Sequence, residues 1–454
     1  MKRRCLSTQI ITALLDSTCE NVLLIASGDQ WMLPEFAAET DFWIADVATV
    51  NRAIHKAWNI ETTVLRCLAS SRPDRIEVFV AYIKDRDWQP PAGASWFAAS
   101  ALPSLSFADP AQLALLEQWF ANNTNQKPDV QDLPWTSPSW FDEVKIWIAD
   151  QVKYDSGQSL MGELQQVKSW AISSVFRART ETETLYFKAV PTLFGQEPVI
   201  TQQLARLFPE YIPSLVAVDT DRHWMLMREF VGKELDESKA PEDRASALPA
   251  FAKIQIGCIP YVDELISWGS MDRRLALMAN QVEAVIYEMT EADAREIYAI
   301  TDEEAVKLRQ HAPALRSICL DLASFGVPET LIHGDLHAGN IIVNEVDGQK
   351  RFLIFDWTDA AIGHPFFDMQ TMLQGKWMQD HPNAATVLRD AYLEPWTKIL
   401  PIDTLIAAFD VSQKLAPLYH AISYRNIAVG VPPSSRWELS EFAGHYLRTL
   451  LSRL

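Results

Sequence analysis

The chain has 454 residues, 48% apolar and 22% charged, a globular balance that excludes an intrinsically disordered chain. A net charge of −19 and a pI near 4.9 argue against a nucleic-acid partner, because an acidic surface repels a phosphate backbone, and mildly favour cationic small substrates. No apolar run reaches the ~18 residues of a membrane span, so no membrane partner is expected; five scattered cysteines without a Cys-x-x-Cys pair suit reduced thiols and a cytoplasmic location.

In chain order, residues 1–16 mix basic side chains with a short apolar stretch broken by Ser7, Thr8 and Gln9, which reads as a helix rather than a cleavable signal. A strand over 21–26, a turn over 31–35, a helix over 47–58, strands over 62–68 and 76–83 and a helix over 111–120 make an α/β domain of ordinary size. The Pro/Asn/Asp-rich stretch 121–134 reads as a linker. Residues 137–154 predict an amphipathic helix anchored by Trp140, Phe141, Val144, Ile146, Trp147 and Val152.

Three short strands follow, over 167–170, 175–179 and 185–190, the last carrying Lys188. A helix opened by Gln196, Glu197 and Pro198 runs to about Leu207. Strands over 215–219 and 224–227 lead into a hinge at 228–232, and helical patterns dominate beyond about Glu234. The expected domains are 1–125, a small α/β domain; 126–165, linker and amphipathic helix; 166–232, a β-rich lobe; and 233–454, a helical lobe interrupted by two loops.

Those loops carry the chemistry. His333-Gly-Asp-Leu-His-Ala-Gly-Asn340 places Asp335 five residues before Asn340, and Ile354-Phe-Asp-Trp357 adds Asp356, each loop flanked by apolar β-type runs. Asp and Asn are ordinary turn residues, and any one of the three alone would be read that way. The set with its intervals, and a strand lysine upstream, instead suits phosphoryl transfer, which needs a placed nucleophile, a charge clamp and a metal. Asp335 would take the proton of an attacking hydroxyl, Asn340 and Asp356 would hold Mg²⁺, and Lys188, steadied by Glu197, would meet the nucleotide phosphates.

At these residues the chain resembles the aminoglycoside phosphotransferase/choline kinase family, whose signature also includes a trailing Gly-x-Pro-x-x-Asp, here Gly363-His-Pro-Phe-Phe-Asp368. The resemblance covers roughly residues 166–400. It implies an α+β, two-lobed protein-kinase-like phosphotransferase fold and ATP- or GTP-dependent phosphorylation of a small-molecule hydroxyl. The turn before the second strand of the β-rich lobe reads Ala171-Ile-Ser-Ser174, without the glycines of protein kinases; Ser173 and Ser174 are the residues there that could meet a phosphate. In the hinge, Glu229 and Val231 are assigned to the nucleotide.

The first domain is similar to a Nudix hydrolase domain in element order and in its Trp-x-Leu-Pro turn, but Lys56 and Ala57 stand where that family places two metal-binding glutamates. An inactive add-on is therefore expected, with a Nudix-type hydrolase as one alternative and a non-catalytic nucleotide or metabolite sensor as another. His333 and His337, four apart, could mimic a zinc pair on a helix, but two glycines make the stretch a loop, and His337 is read as a loop-packing residue. Asp368 is expected to brace the loop, and Asp359 carries no assignment. The acidic stretch 283–304 is either a cation-attracting rim or a solvated helix face, the second being favoured.

Overall fold

The computed structural model describes residues 8–71, 73–124 and 133–454, the side chains at 123, 124, 296, 376 and 440 apart. Residues 1–7 of the helix expected over 1–16, and 125–132 of the linker expected over 121–134, lie outside the described residues. The chain forms two compact units, Met1–Pro191 and Thr192–Leu454.

The first unit opens with β1 (Gln9–Leu15), β2 (Asn21–Ser27), β3 (Gln30–Met32), β4 (Glu35–Ala37), α1 (Val47–Trp58), β5 (Thr62–Ser71), β6 (Ile76–Ile83) and β7 (Ala94–Ala98). They build a mixed sheet in the order β3-β2-β1-β6-β5, with β4 paired to β1 and β7 to β2; β1 and β6 run parallel. Residues 9–15 are thus a strand, not the expected helix. β1 is central and buried along almost its whole length, so it shows the continuous apolar run of an interior strand, which periodicity cannot tell from a buried helix.

α2 (Pro110–Thr124) extends four residues into the expected linker, and α3 (Pro138–Ser156) leads to β8 (Gln165–Trp170), β9 (Ser173–Arg179) and β10 (Thr184–Ala189), an antiparallel meander. α3 lays Phe141 against Phe176 and Trp147 against Phe187, with ring centroids 5.6 and 5.8 Å apart, so its apolar face fixes β9 and β10. Ile146, expected among the anchors, is 63% exposed. A buried amide joins β8 to β5: the Gln166 side chain accepts from Val64 N at 2.9 Å and donates to Val64 O at 2.8 Å, beside a register shift in β5. β5 ends the sheet order, and the amide gives its outer edge the partner that no strand supplies.

The second unit contains α4 (Glu197–Leu207), a hairpin of β11 (Leu215–Asp219) and β12 (Trp224–Arg228), β13 (Lys233–Glu234), α5 (Pro241–Cys258), α6 (Val262–Ser267), β14 (Met271–Asp272), α7 (Leu275–Met289), α8 (Ala292–Ile297) and α9 (Asp302–Ser324). β15 (Thr330–Ile332), β16 (Ile341–Val346), β17 (Gln349–Ile354) and β18 (Ala361–Gly363) follow, then α10 (Met369–Met372), α11 (Ala384–Leu393), α12 (Ile402–Gly430) and α13 (Ser440–Leu451). Two three-stranded sheets, β13-β16-β17 and β14-β18-β15, sit among the helices. One motif loop spans β15 to β16 and the other β17 to β18, so both are anchored by paired strands at each end. Trp357, Phe366, Phe367, Tyr392 and Trp396 pack without solvent exposure beneath them.

Much of the acidic stretch 283–304 is spent on helix ends and surface pairs. Thr301 and Glu304 form a reciprocal cap at the start of α9, while Asp302 pairs with Arg295 and Glu288 with Arg425.

Candidate active site

The motif loop is held from below by a buried carboxylate. Asp368 accepts from the backbone N–H of His333 at 2.9 Å and of Gly334 at 2.8 Å, and from Gln255 Nε2 at 3.0 Å. Burial pushes this carboxyl up, to about 8, against the backbone donors that favour its charged form. Gln255, in the last turn of α5, also donates to Leu331 O at 3.1 Å, and Tyr392 donates to Gln255 Oε1 at 2.5 Å. The expected bracing role of Asp368 is what the structure shows; its partner Gln255, two residues after Lys253 in the helix, carries no motif signal.

Gly334 has φ +84°, and a Cβ there would lie 2.4 Å from Asp359 O and 2.6 Å from Asp359 Cβ. The loop at Gly334 and the loop after Asp356 therefore pack so closely that a side chain at 334 would not fit between them. His333, wholly buried, crosses the same gap. Its Nδ1 accepts from Asp335 N at 3.3 Å, its Nε2 donates to Phe355 O at 2.9 Å, and its ring lies 4.6 Å from that of Trp357. Burial holds this imidazole below its ordinary range, in the neutral form that such bonding requires.

Asn340 completes the clamp. Its Nδ2 donates to Asp335 O at 2.9 Å, and its own carbonyl accepts from Phe355 N at 3.1 Å. Asp356 is a left-handed residue, φ +67°, whose Oδ1 accepts from Thr358 Oγ1 at 2.5 Å. A non-glycine residue in this conformation is uncommon and is held only where its surroundings over-determine it. Asp335 is half-exposed at the loop surface.

Asp359, three residues on, is half-buried. Burial pushes it up, to about 7, and the charges of Asp335 and Asp356 push the same way, with Arg273 opposing. Arg273 is itself held by Ser423 Oγ and lies 5.1 Å from the Tyr419 ring centroid, both on α12. Tyr424 and Tyr446, rings 5.6 Å apart and nearly parallel, have phenols raised by burial and by the charge of Asp335. No motif spacing pointed to Arg273, Tyr424 or Tyr446, because through-space packing alone brings them to the loop.

The other expected residues are placed as follows. Lys188 is buried on β10, opposite Val175 of β9. Ser173 and Ser174 open β9 after the turn at Ala171 and Ile172; Ser173 Oγ accepts from Trp170 Nε1 at 3.0 Å, and the Ser174 side chain is wholly buried. The turn is thus two residues long, and Ser173 and Ser174 belong to the strand that follows it. Glu197 is the first residue of α4 and fully buried. Glu229 and Val231 are exposed after β12, on either side of Phe230, whose ring lies 5.2 Å from that of Phe355. Among the described residues, no three His, Cys, Asp or Glu side chains converge as a metal site.

Residues 165–402, just over half of the chain, match the family model described as the phosphotransferase enzyme family. The chain belongs to that family. It is a small-molecule kinase, a phosphotransferase that acts on hydroxyl groups.

No curated protein sequence matches it significantly. It is similar to several solved structures. These include a spectinomycin phosphotransferase in complex with ADP and spectinomycin (12% identity, 68% of this chain and 98% of that one, TM-score 0.41). An ethanolamine kinase of Plasmodium vivax matches at 14% identity over 78% and 96%, TM-score 0.45. A choline/ethanolamine kinase family protein of Mesorhizobium loti matches at 16% over 66% and 98%, TM-score 0.36. The Nudix-like character expected of the first domain finds no counterpart among these matches.

Proposed function

We propose that the chain transfers the γ-phosphoryl group of ATP, or GTP, to a hydroxyl of a small cationic molecule, with Asp335 as the general base. The supporting observation is the stitching of the two loops. Asn340 holds the Asp335 carbonyl and the Phe355 N–H, and His333 holds Phe355 O and Asp335 N, so Asp335 and Asp356 are carried by one hydrogen-bonded body. Such a base can be placed to a fraction of an ångström, which is where most of the rate in phosphoryl transfer originates. In the reaction the acceptor oxygen bonds to the γ-phosphorus, the bond to the β-phosphate bridging oxygen breaks, and the hydroxyl proton passes to an Asp335 carboxylate oxygen.

Mg²⁺ would be held by Asn340 Oδ1 and the Asp356 carboxylate. Asn340 spends its amide N–H on Asp335 O, which leaves Oδ1 as the coordinating atom. Two oxygen donors suit an ion that takes the rest of its shell from phosphate and water. When bound, it neutralises charge on the transferring phosphoryl group. Lys188 and Glu197 are the further nucleotide residues, with Ser173, Ser174, Glu229 and Val231.

A cationic acceptor is favoured by Asp359, a half-buried carboxylate amid the charges of Asp335, Asp356 and Glu197 with Arg273 as counter-charge. For the first domain we favour a non-hydrolytic, Nudix-like role: α1 carries no acidic side chain, and Lys56 pairs with Glu39 at 2.6 Å. ATP consumption against a panel of hydroxyl metabolites and antibiotics, with Asp335→Ala as the control, tests the function. Acceptor-dependent turnover that disappears in the variant is expected, and acceptor-dependent turnover that survives in it refutes the assignment.

A further inference from the structure

His337 has no part in the proposed reaction, and its geometry is specific. Its Nδ1 accepts from Gly339 N at 3.0 Å, and its Nε2 faces Asp335 Oδ2 at 3.6 Å. A ring nitrogen that accepts an N–H carries no proton, so in the neutral imidazole the proton sits on Nε2. The same device recurs twice in this unit. His333 Nδ1 accepts from Asp335 N and His364 Nδ1 from Phe366 N, in each case the N–H two residues on. In His333 the Nε2–H so defined reaches a main-chain carbonyl; in His337 it faces the carboxylate of the proposed base.

Gly339 is part of the arrangement. A Cβ at Gly339 would lie 2.8 Å from His337 Cε1 and 3.0 Å from Nδ1, so any side chain there displaces the ring. The His337 side chain is 47% exposed and that of Asp335 39%, which leaves both able to shift by the few tenths of an ångström that would close 3.6 Å to a hydrogen bond. Catalytic hydrogen bonds are often long before substrate binds.

We propose that His337 is a positioning residue for Asp335. Its Nε2–H holds Oδ2 and turns the carboxylate so that Oδ1 is the oxygen presented to the acceptor hydroxyl, while Gly339 fixes both the tautomer and the space for the ring. The inference rests on Asp335 being the base.

Three substitutions separate positioning from loop structure. His337→Ala removes both bonds. His337→Asn keeps a short acceptor for Gly339 N but has no donor that reaches Asp335. His337→Gln carries an amide N–H as far from the backbone as Nε2. The readout is phosphate release from Mg-ATP with water as acceptor, alongside Mg-ADP binding by calorimetry. Expected is a kcat about 10–100-fold down in His337→Ala and His337→Asn, the range typical of groups that orient a reacting side chain. His337→Gln should stay near wild type, and Mg-ADP affinity should be the same in all. Gly339→Ala, which displaces the ring and keeps the imidazole, should resemble His337→Ala. A fully active His337→Asn, or a His337→Gln no better than His337→Ala, overturns the proposal. Undiminished turnover in Asp335→Ala brings down the assignment of the base and this inference with it; loss in Asp335→Ala together with full activity in His337→Ala brings down this inference alone.

Discussion

The side-chain amide of Asn340 donates to the main-chain carbonyl of Asp335 at 2.9 Å, five residues back. This bond explains why the interval between the two residues matters. One side chain closes the loop through its nitrogen and keeps its oxygen for the proposed metal. Asn340→Asp should keep an oxygen for the metal and lose the clamp, because a carboxylate cannot donate to a carbonyl. Its kcat should fall more steeply than its apparent Mg²⁺ affinity, in a titration of turnover against Mg²⁺; a pure affinity loss with normal kcat would contradict the clamp.

Gly334→Ala should be severely damaging. The substitution combines φ +84° with a contact of 2.4 Å to Asp359 O, and left-handed strain with overpacking costs about 3 kcal/mol. Chemical denaturation should show a clear drop in stability, and a midpoint equal to that of wild type would mean that the two loops are not held this close.

Asp368→Asn should destabilise the protein although it conserves shape. All the hydrogen bonds to this carboxylate come from N–H donors, and an amide would turn its own N–H₂ toward at least one of them. Leaving buried donors unsatisfied costs about 1–3 kcal/mol each. Urea unfolding of the variant tests this. An unfolding midpoint equal to that of wild type would contradict the need for a purely accepting group at this position.

Asp359 sets a pH dependence. Its carboxyl is pushed up to about 7 by burial and by the charges of Asp335 and Asp356, against Arg273, with Glu197 also facing it. The folded protein then binds this proton more tightly than the unfolded chain. The associated stability is complete below the ordinary carboxyl range near 4 and is lost as pH rises through about 7. Without nucleotide, wild-type Tm should decline relative to Asp359→Asn between about pH 5 and 8. A cationic acceptor reverses the balance, so kcat/KM for it should rise through about pH 7 in wild type and not in the variant. Parallel Tm profiles for the two proteins would remove Asp359 from this role.

What could be read from the chain followed from local chemistry. The loops at 333–340 and 356 were visible because turn residues, glycines and flanking apolar runs lie within a few positions of each other. Helix α1, α3 and α4 were visible from their periods and, in α4, from Pro198 near its start. β1 was misread because an interior strand shows no alternation, and Ile146 because its helix buries a narrower face than its composition suggests. Arg273, Gln255 and Tyr424 reach the loops from residues far away in sequence, and no interval encodes that. His337 was visible as a residue, but its relation to Asp335 depends on the ring orientation that Gly339 allows.

The central claim is that the Asp335 carboxylate takes the acceptor proton within a loop whose shape does not depend on it. Steady-state turnover of Asp335→Ala and Asp335→Asn, with Mg-ADP affinity measured on the same samples, tests it most directly. The predicted result is a kcat roughly 10²–10⁴-fold lower in both variants, the range of general-base catalysis, with nucleotide affinity changed by no more than about twofold. Turnover within about tenfold of wild type in either variant, or loss of activity that tracks loss of nucleotide binding, would contradict it.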